Sequence, residues 1–143
     1  MTHNTELLLK SICKNADMGR DSLKNTIAKC RDNDFREVLK QQYRDTERIY
    51  ISASALLGSE GQKPSSAPAT AKMMANAMIA AAAVTASQPD RYAEMVVHGN
   101  QRGIKEITDD LAKYESADAR AKNLALCLRD RLISNNNELQ KYL

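Results

Sequence analysis

Apolar residues recur at alternating steps of three and four positions along four long segments of the chain, and this spacing limits the fold more than any other feature. Such steps put side chains on one side of an α-helix, so each segment predicts an amphipathic helix with a single buried stripe. In the second segment the stripe residues are Phe35, Leu39, Gln42, Thr46, Ile49, Ala53 and Leu56. Four helices of this kind predict a bundle around one core.

The composition also favours helices. The chain has one Phe, five Tyr and no Trp, so its core must be built mainly from aliphatic side chains. Leu, Ile, Met and Ala suit helix–helix packing better than the β-branched and aromatic surfaces of sheets. A length of 143 residues is close to the usual size of one domain. We therefore expect an all-α protein with a single domain spanning residues 1–143.

Breaks in the apolar pattern set the expected bounds of the helices. Asp32 to Asp34 interrupt the first long segment, and a stretch rich in Ser, Gly, Pro and Gln runs from Ser59 to Pro68. Between this linker and the third long segment lies a short run rich in Ala and Met. The predicted helices cover residues 5–31, 34–57, 69–86, 90–115 and 118–142, where 69–86 is a short crossover helix.

The lengths of the connections predict how the helices run. A few residues join the first helix to the second, and the last two helices to each other, so each pair is expected to form an antiparallel hairpin. The second helix and the third long helix are about 31 residues apart, and the crossover helix lies within this stretch. A helix of about 18 residues spans roughly 27 Å, enough to return along the bundle. The expected topology is therefore up-down-down-up.

The charge balance argues against a polyanionic partner. Lys and Arg number 21 against 18 Asp and Glu, and a net charge of +3 does not create the broad positive field of proteins that bind nucleic acid or anionic membranes. The most apolar segment, residues 73–86, is shorter than the roughly 20 residues needed to cross a bilayer. We expect neither nucleic acid nor a membrane as a partner.

The three cysteines, Cys13, Cys30 and Cys127, include no C-x-x-C pair. This arrangement favours neither a disulfide framework nor a cysteine zinc site. All three lie on or beside apolar stripes, so we expect small buried residues in a reducing compartment, without a catalytic role. The N-terminal residues also lack the pattern of a secretion signal, and we expect a cytoplasmic protein.

Bundles with a long crossover often hold two metal ions, through a Glu on each of two helices and a Glu-x-x-His motif on each of the other two. The chain has two histidines, His3 and His98, and Glu94 precedes His98 by four positions rather than three. We therefore expect no intact di-iron site, no catalytic residue and no cofactor. Glu94 and His98 share one helical face and are the candidates for a single metal or redox site, although a solvated pair accounts for the same spacing.

Polar residues fall in the middle of the predicted buried seam. They are Gln42, Thr46, Asn100 and Asn135. Amides and hydroxyls are poor ligands for transition metals, so we expect this polar core layer to form buried hydrogen bonds that fix the register of the helices. The alternative interpretation is a layer that lines a cavity and binds a small molecule.

The crossover segment carries more large apolar side chains than one side of a short helix can bury. They are Met73, Met74, Met78 and Ile79. Methionine-rich helical surfaces adapt to partners, so Met74 and Met78 are the candidates for an interaction surface, either in a homodimer or with another protein. The alternative is a crossover helix packed into a groove of its own bundle.

Several short motifs accompany this layout. They are Lys14-Asn15-Ala16-Asp17, the Asp32-Asn33-Asp34-Phe35 turn, and His98-Gly99-Asn100 inside the third long helix. With the crossover helix, they make nearly the whole chain resemble a bacterial ferritin-like, rubrerythrin-related family of four-helix-bundle proteins of unknown function. The resemblance implies the fold and the crossover topology and brings no established activity.

Two positions depart from that family. An acidic residue commonly follows the glycine of the third motif, and a histidine or an acid often lies late in the fourth helix, where this chain has Asn100 and Asn136. Both departures argue against an inherited metal site. We therefore expect a non-enzymatic bundle of unknown role that acts through protein–protein contacts, as a homodimer.

Overall fold

Five α-helices form where the sequence is amphipathic or rich in alanine. The computed structural model describes residues 1–85 and 89–143, and within these ranges it contains helices, turns and loops but no strand. The helices are α1 (His3–Lys29), α2 (Asn33–Ser59), α3 (Ala69–Thr85), α4 (Asp90–Lys113) and α5 (Ala119–Leu139), and a 3₁₀ turn follows at Gln140–Tyr142. The predicted all-α fold is confirmed.

Side-chain caps explain where the first two helices begin. The Thr2 hydroxyl accepts a hydrogen bond from the backbone N–H of Thr5 at 3.2 Å, and the Asp32 carboxylate accepts one from the N–H of Phe35 at 2.9 Å. Each cap satisfies an amide that has no partner within the helix. For this reason α1 begins two residues earlier than expected, and α2 begins at Asn33 rather than at residue 34.

The remaining predicted bounds lie close to the observed ones. The third helix begins at Ala69 as expected, and its predicted end at residue 86 lies outside the described residues. The last helix ends at Leu139, because the chain tightens there into the 3₁₀ turn.

Two apolar clusters build the core. Members of the first are Leu8, Ile12, Ile49, Leu57, Ile107 and Leu128, and members of the second are Leu23, Phe35, Leu39, Tyr92, Val97 and Leu139. Along each of α1, α2, α4 and α5, small or polar buried residues separate the two sets. The core is therefore apolar toward both ends and polar in its middle.

Long-range hydrogen bonds fix which helix ends lie together. Near the start of α1, the Ser11 hydroxyl donates to the carboxylate of Asp110, which lies near the end of α4. In the first half of α2, Gln42 Nε2 donates to Glu138 Oε1, in the last turn of α5, at 3.0 Å. These bonds join residues 99 and 96 positions apart in sequence, so they link separate hairpins of the fold.

The crossover helix α3 lies outside the long helices. It contacts α1 and, less extensively, α4. Among the α3 side chains that the structure describes, Ile79 and Ala82 are buried most deeply. In the described part of the chain, no helix combines the length and apolar character needed to cross a membrane.

Candidate functional site

The outer side of α3 exposes its methionines. Met73 and Met74 are each 70% exposed and Met78 is 55% exposed, whereas Ile79 is only 3% exposed. The sequence of α3 is apolar on nearly every side, but only one side of the helix meets α1 and α4. Its surplus apolar side chains therefore face solvent, Met73 as well as the expected Met74 and Met78.

We call this surface the α3 face and define it by its exposed residues. They are Met73, Met74, Ala77, Met78, Ala80 and Ala81. At about 100° per residue these positions cover one side of the helix, with Ala77 near the centre. None of them carries a charge. A contiguous apolar surface of this kind marks an interaction site more often than scattered single residues do.

A buried carboxylate on α1 anchors α3 and the linker before it. Asp17 is 5% exposed, and its Oδ2 accepts a hydrogen bond from Lys72 Nζ at 2.8 Å and from the backbone N–H of Ala67 at 2.9 Å. Farther along, Asn25 Nδ2 donates to Asn76 Oδ1 at 2.6 Å. These polar contacts orient α3 so that its lysine faces inward and its methionines face outward.

Burial alone raises the pKa of the Asp17 carboxyl, but the bonds from Lys72, Ala67 and Arg20 outweigh burial and hold the pKa below its ordinary value. Asp17 is therefore a permanently charged anchor near neutral pH. In the sequence, Asp17 is noticeable only as part of the Lys14-Asn15-Ala16-Asp17 motif. The signal that could have found it is a carboxylate between Ala16 and Gly19, inside the stripe of α1.

Next to this anchor, α1 and α2 carry a network of opposite charges. Arg20 bonds Asp17 at 3.2 Å and Glu47 at 3.3 Å, and its guanidinium lies 3.6 Å from the centre of the Tyr50 ring. Burial, together with the negative charge of Glu47, raises the pKa of Tyr43. A small cavity of about 220 Å³ beside the network is lined by Asp17, Arg20, Asp21, Lys24 and Tyr43. Because the charges of this network are paired, the arrangement is suited to holding helices together.

The predicted polar layer lies between the two apolar clusters, with partners that differ in part from those expected. Gln42 Nε2 donates to the backbone carbonyl of Asn135 at 3.4 Å, and the Thr46 hydroxyl donates to the carbonyl of Gln42 at 2.8 Å. Asn100 Nδ2 donates to Asn136 Oδ1 at 2.9 Å. The side chain that meets Asn100 is therefore that of Asn136, a residue that the sequence analysis did not include in the layer.

One acceptor in the layer has no hydrogen bond. Gln42 is fully buried, and its Oε1 has no partner among the residues that the structure describes. The two surface cavities described in this section are lined by other residues. The layer thus acts mainly through bonds among its own side chains and the backbone.

The Glu94–His98 pair lies on the solvent side of α4. Both residues are exposed, and Glu94 Oε2 lies 3.6 Å from the guanidinium of Arg91. The other histidine, His3, is exposed in the first turn of α1. Within residues 1–85 and 89–143, no group of three or more His, Cys, Asp or Glu side chains is arranged to hold a metal ion.

Two of the three cysteines are buried as expected and one is not. Burial raises the pKa of Cys13 and Cys30, which keeps both thiols protonated. The expectation of burial is wrong for Cys127, which is exposed on α5 beside an open groove of about 750 Å³ between α2 and α5. The reason is its position, because the buried stripe of α5 passes through the adjacent Leu128 instead.

The comparisons with known proteins identify no relative. None of the protein-family models, curated proteins and solved structures with which the chain was compared matches it.

Proposed function

We propose that this protein is a non-enzymatic, cytoplasmic helical bundle that works through protein–protein contacts and associates as a homodimer through the α3 face. The observation that carries the proposal is the 70% exposure of Met73 and Met74 on a helix surface without charge. Exposed methionine side chains are flexible and polarisable, so they pack closely against a partner. Burying them removes apolar surface from water, which favours association.

Two exposed apolar residues outside α3, Ile51 and Ile133, lie singly on separate helices. Ile51 on α2 is 56% exposed and Ile133 on α5 is 42% exposed. The exposed Arg48 precedes Ile51 by three residues on α2, and the exposed Arg131 lies two residues before Ile133. Single apolar residues among charged ones are ordinary on protein surfaces. The α3 face is therefore the better candidate for a contact.

Contacts between helix ends support a ferritin-like, up-down-down-up arrangement as part of this proposal. The start of α1 lies near the start of α5, since the N–H of Asp118 donates to Thr5 Oγ1 at 2.9 Å. It also lies near the end of α4, through Ser11 and Asp110. A bundle in which α1 runs parallel to α5 and antiparallel to α4 accounts for both contacts. The proposed relationship to rubrerythrin-like proteins rests on this topology and on the sequence motifs.

The chemistry of the core layer supports a bundle without a di-iron site. Di-iron bundles project Glu and His side chains into the middle of the core. At that level this chain carries Gln42, Thr46, Asn100 and Asn136, and the buried Asp17 is engaged by Lys72 and Ala67. The alternative of a single metal at Glu94 and His98 has less support, because both residues are exposed and Glu94 lies beside Arg91.

The experiment that tests the proposal compares the mass in solution of the natural chain and of a double variant, Met73→Lys with Met74→Lys. Lysine retains helix propensity but would bring four unpaired charges into the contact of a dimer. We expect the dissociation constant of the dimer to rise by at least about tenfold.

Ile51→Lys is the matched control, because it adds a charge at an exposed apolar residue away from α3. It should leave the dissociation constant unchanged. Equal association of the double variant and the natural chain would refute the role of the α3 face.

A further inference from the structure

A band of alternating charges lies on one side of α1. Asp17, Arg20, Asp21 and Lys24 follow one another at steps of three, one and three residues, so their side chains project from the same side of the helix. Together with Tyr43 of α2, they line the cavity of about 220 Å³ that we call the α1–α2 cavity. All five lining side chains carry a charge or a hydroxyl, so the cavity is suited to a polar ligand.

The charges that line the cavity are only partly used within the fold. Asp17 and Arg20 are bonded to each other and to neighbouring charges. Asp21 is half-buried and accepts a long hydrogen bond from Asn25 Nδ2, at 3.4 Å. Lys24 is exposed, and within the described residues its ammonium group has no ion pair or hydrogen bond. The cavity therefore offers a carboxylate and an ammonium group to a ligand.

Glu47, which lies against two of the lining residues, adds an acceptor without a donor. Its Oε1 bonds Arg20 at 3.3 Å, but its Oε2 is shielded from solvent and has no hydrogen-bond partner in the described part of the chain. Burial, and then the charge of Glu47, raise the pKa of Tyr43, so its hydroxyl stays protonated near neutral pH and can donate a hydrogen bond. A shielded carboxylate oxygen without a donor is unfavourable. This side of the cavity therefore favours a ligand that brings N–H donors.

The balance of charge selects among the classes of ligand. The charged groups at and beside the cavity are Asp17, Asp21 and Glu47 against Arg20, Lys24 and Lys72. Because the two signs cancel, these surroundings attract neither a net anion nor a net cation. A ligand with one ammonium and one carboxylate can pair with Asp21 and Lys24 at the same time, through charge-assisted hydrogen bonds.

Spacing and size narrow this class further. Asp21 and Lys24 are three residues apart on one helix, so their Cβ atoms are about 5–6 Å apart. An α-amino acid carries its ammonium and its carboxylate on one carbon atom, so both groups can meet these neighbouring side chains. The cavity of about 220 Å³ is smaller than the roughly 300–1,000 Å³ of pockets for drug-sized ligands. A single amino acid therefore suits it better than a peptide.

We propose that the α1–α2 cavity binds a small free amino acid with a polar side chain. The carboxylate of the ligand pairs with Lys24, its ammonium pairs with Asp21, and the hydroxyl of Tyr43 contributes a hydrogen bond. The proposal is independent of the homodimer contact, because the lining residues belong to α1 and α2 and not to the α3 face.

Nuclear magnetic resonance of the ¹⁵N-labelled natural chain tests this proposal. Glycine, L-serine, L-asparagine and L-glutamine are each added up to about 10 mM, tenfold above a dissociation constant of about 1 mM. We expect at least one of them to cause saturable shifts of backbone amide signals, concentrated in residues 17–24 and around Tyr43. If none of the four causes a saturable shift there, the proposal is overturned.

Analogues of the amino acid that binds test the two charges of the ligand. The N-acetyl derivative lacks the ammonium and the carboxamide derivative lacks the carboxylate, so each should bind at least about tenfold more weakly. Glycerol, which has hydroxyls but no charge, should cause no saturable shift. Binding of either derivative as tight as that of the amino acid, or saturable binding of glycerol, would overturn the assignment of a zwitterion.

Two lysine variants locate the binding site. Lys24→Ala removes the ammonium that pairs with the ligand, and we expect the dissociation constant to rise at least about tenfold. The matched control is Lys29→Ala, because Lys29 is also exposed on α1 but does not line the cavity. It should leave the dissociation constant unchanged. Equal binding by Lys24→Ala and the natural chain would show that the amino acid binds elsewhere, and would overturn the proposal.

Discussion

Asp17 helps to fix the position of α3. It is a buried carboxylate that bonds the linker through Ala67 and α3 through Lys72. Replacing one partner of a buried charged hydrogen bond leaves the other without its counter-charge, and such bonds contribute about 1.5–3 kcal/mol. The stability of the fold is therefore coupled to the charge of one residue.

We predict that Asp17→Asn lowers the free energy of unfolding by about 1.5–3 kcal/mol at neutral pH, measured by urea denaturation. Asn keeps the shape of the side chain but removes the charge that pairs with Lys72. Asp21→Asn, one turn later and half-buried, is the control and should change the free energy by less than about 0.5 kcal/mol. Equal effects of the two variants would contradict the anchor role of Asp17.

The same pair of proteins gives a pH test. The pKa of Asp17 in the folded protein lies below its ordinary value of 3.8, so its contribution to stability is present above that value and is lost as the pH falls through the folded pKa. The difference in unfolding free energy between the natural chain and Asp17→Asn should shrink as the pH falls below about 4. A difference that stays constant to lower pH would exclude this source of stability.

For the polar layer, the residue pattern predicted which side chains are buried but not which amides meet. Gln42, Thr46 and Asn100 are buried in the predicted layer, because the heptad-like spacing fixes which side of each helix faces inward. The spacing could not distinguish Asn135 from Asn136. Both lie at the edge of the buried stripe of α5, and only the packing against α4 decides which amide meets Asn100.

We predict that Asn136→Leu destabilises the fold by about 1–3 kcal/mol, because it leaves the buried Asn100 amide without its acceptor. The double variant Asn100→Leu with Asn136→Leu should recover much of that loss, since it removes both polar partners. A double-mutant cycle from thermal or urea unfolding measures the coupling. Additive effects of the two substitutions would show that the bond contributes little.

At the scale of elements, α3 differs from the other helices in how it is held. The long helices bury continuous stripes, whereas α3 is attached by Ile79, Ala82 and the polar contacts to Asp17 and Asn25. A helix with few buried apolar contacts opens locally at lower free energy than its neighbours. Through its described side chains, the helix that carries the proposed contact is thus less firmly packed than the long helices.

We predict that backbone amides of α3 exchange with deuterium faster than those in the middle of α1 and α2, as measured by hydrogen exchange with mass spectrometry. Exchange in α3 should slow as the protein concentration rises, because pairing of the α3 faces buries that helix. If the amides of α3 exchanged as slowly as those of α1 in the monomer, α3 would not be the more loosely packed helix.

The helices themselves were predictable because their signals are local. Caps and Gly- or Pro-containing breaks act within a few residues, and most of the helix bounds that the structure describes follow from them closely. The start of α1 was missed by two residues because Thr2, rather than a residue nearer to position 5, provides the cap. The exposure of Cys127 was missed because it depends on how α2 and α5 pack, which no local signal encodes.

For the whole molecule, the sequence predicted an all-α fold, since four amphipathic stripes and a scarcity of aromatic residues leave few other ways to build a core. The surplus of apolar side chains in the crossover was visible as well, because a helix apolar on all sides cannot bury every side against one bundle. The role of Asp17 was not visible, as it depends on where the linker and Lys72 meet α1.

The most direct test of the account is the mass of the natural chain in solution, followed by light scattering from micromolar to millimolar concentration. We predict a weight-average mass near 15.9 kDa in dilute solution that rises toward twice this value as the concentration increases. A mass that stays at 15.9 kDa throughout would contradict the proposal that the α3 face joins two copies.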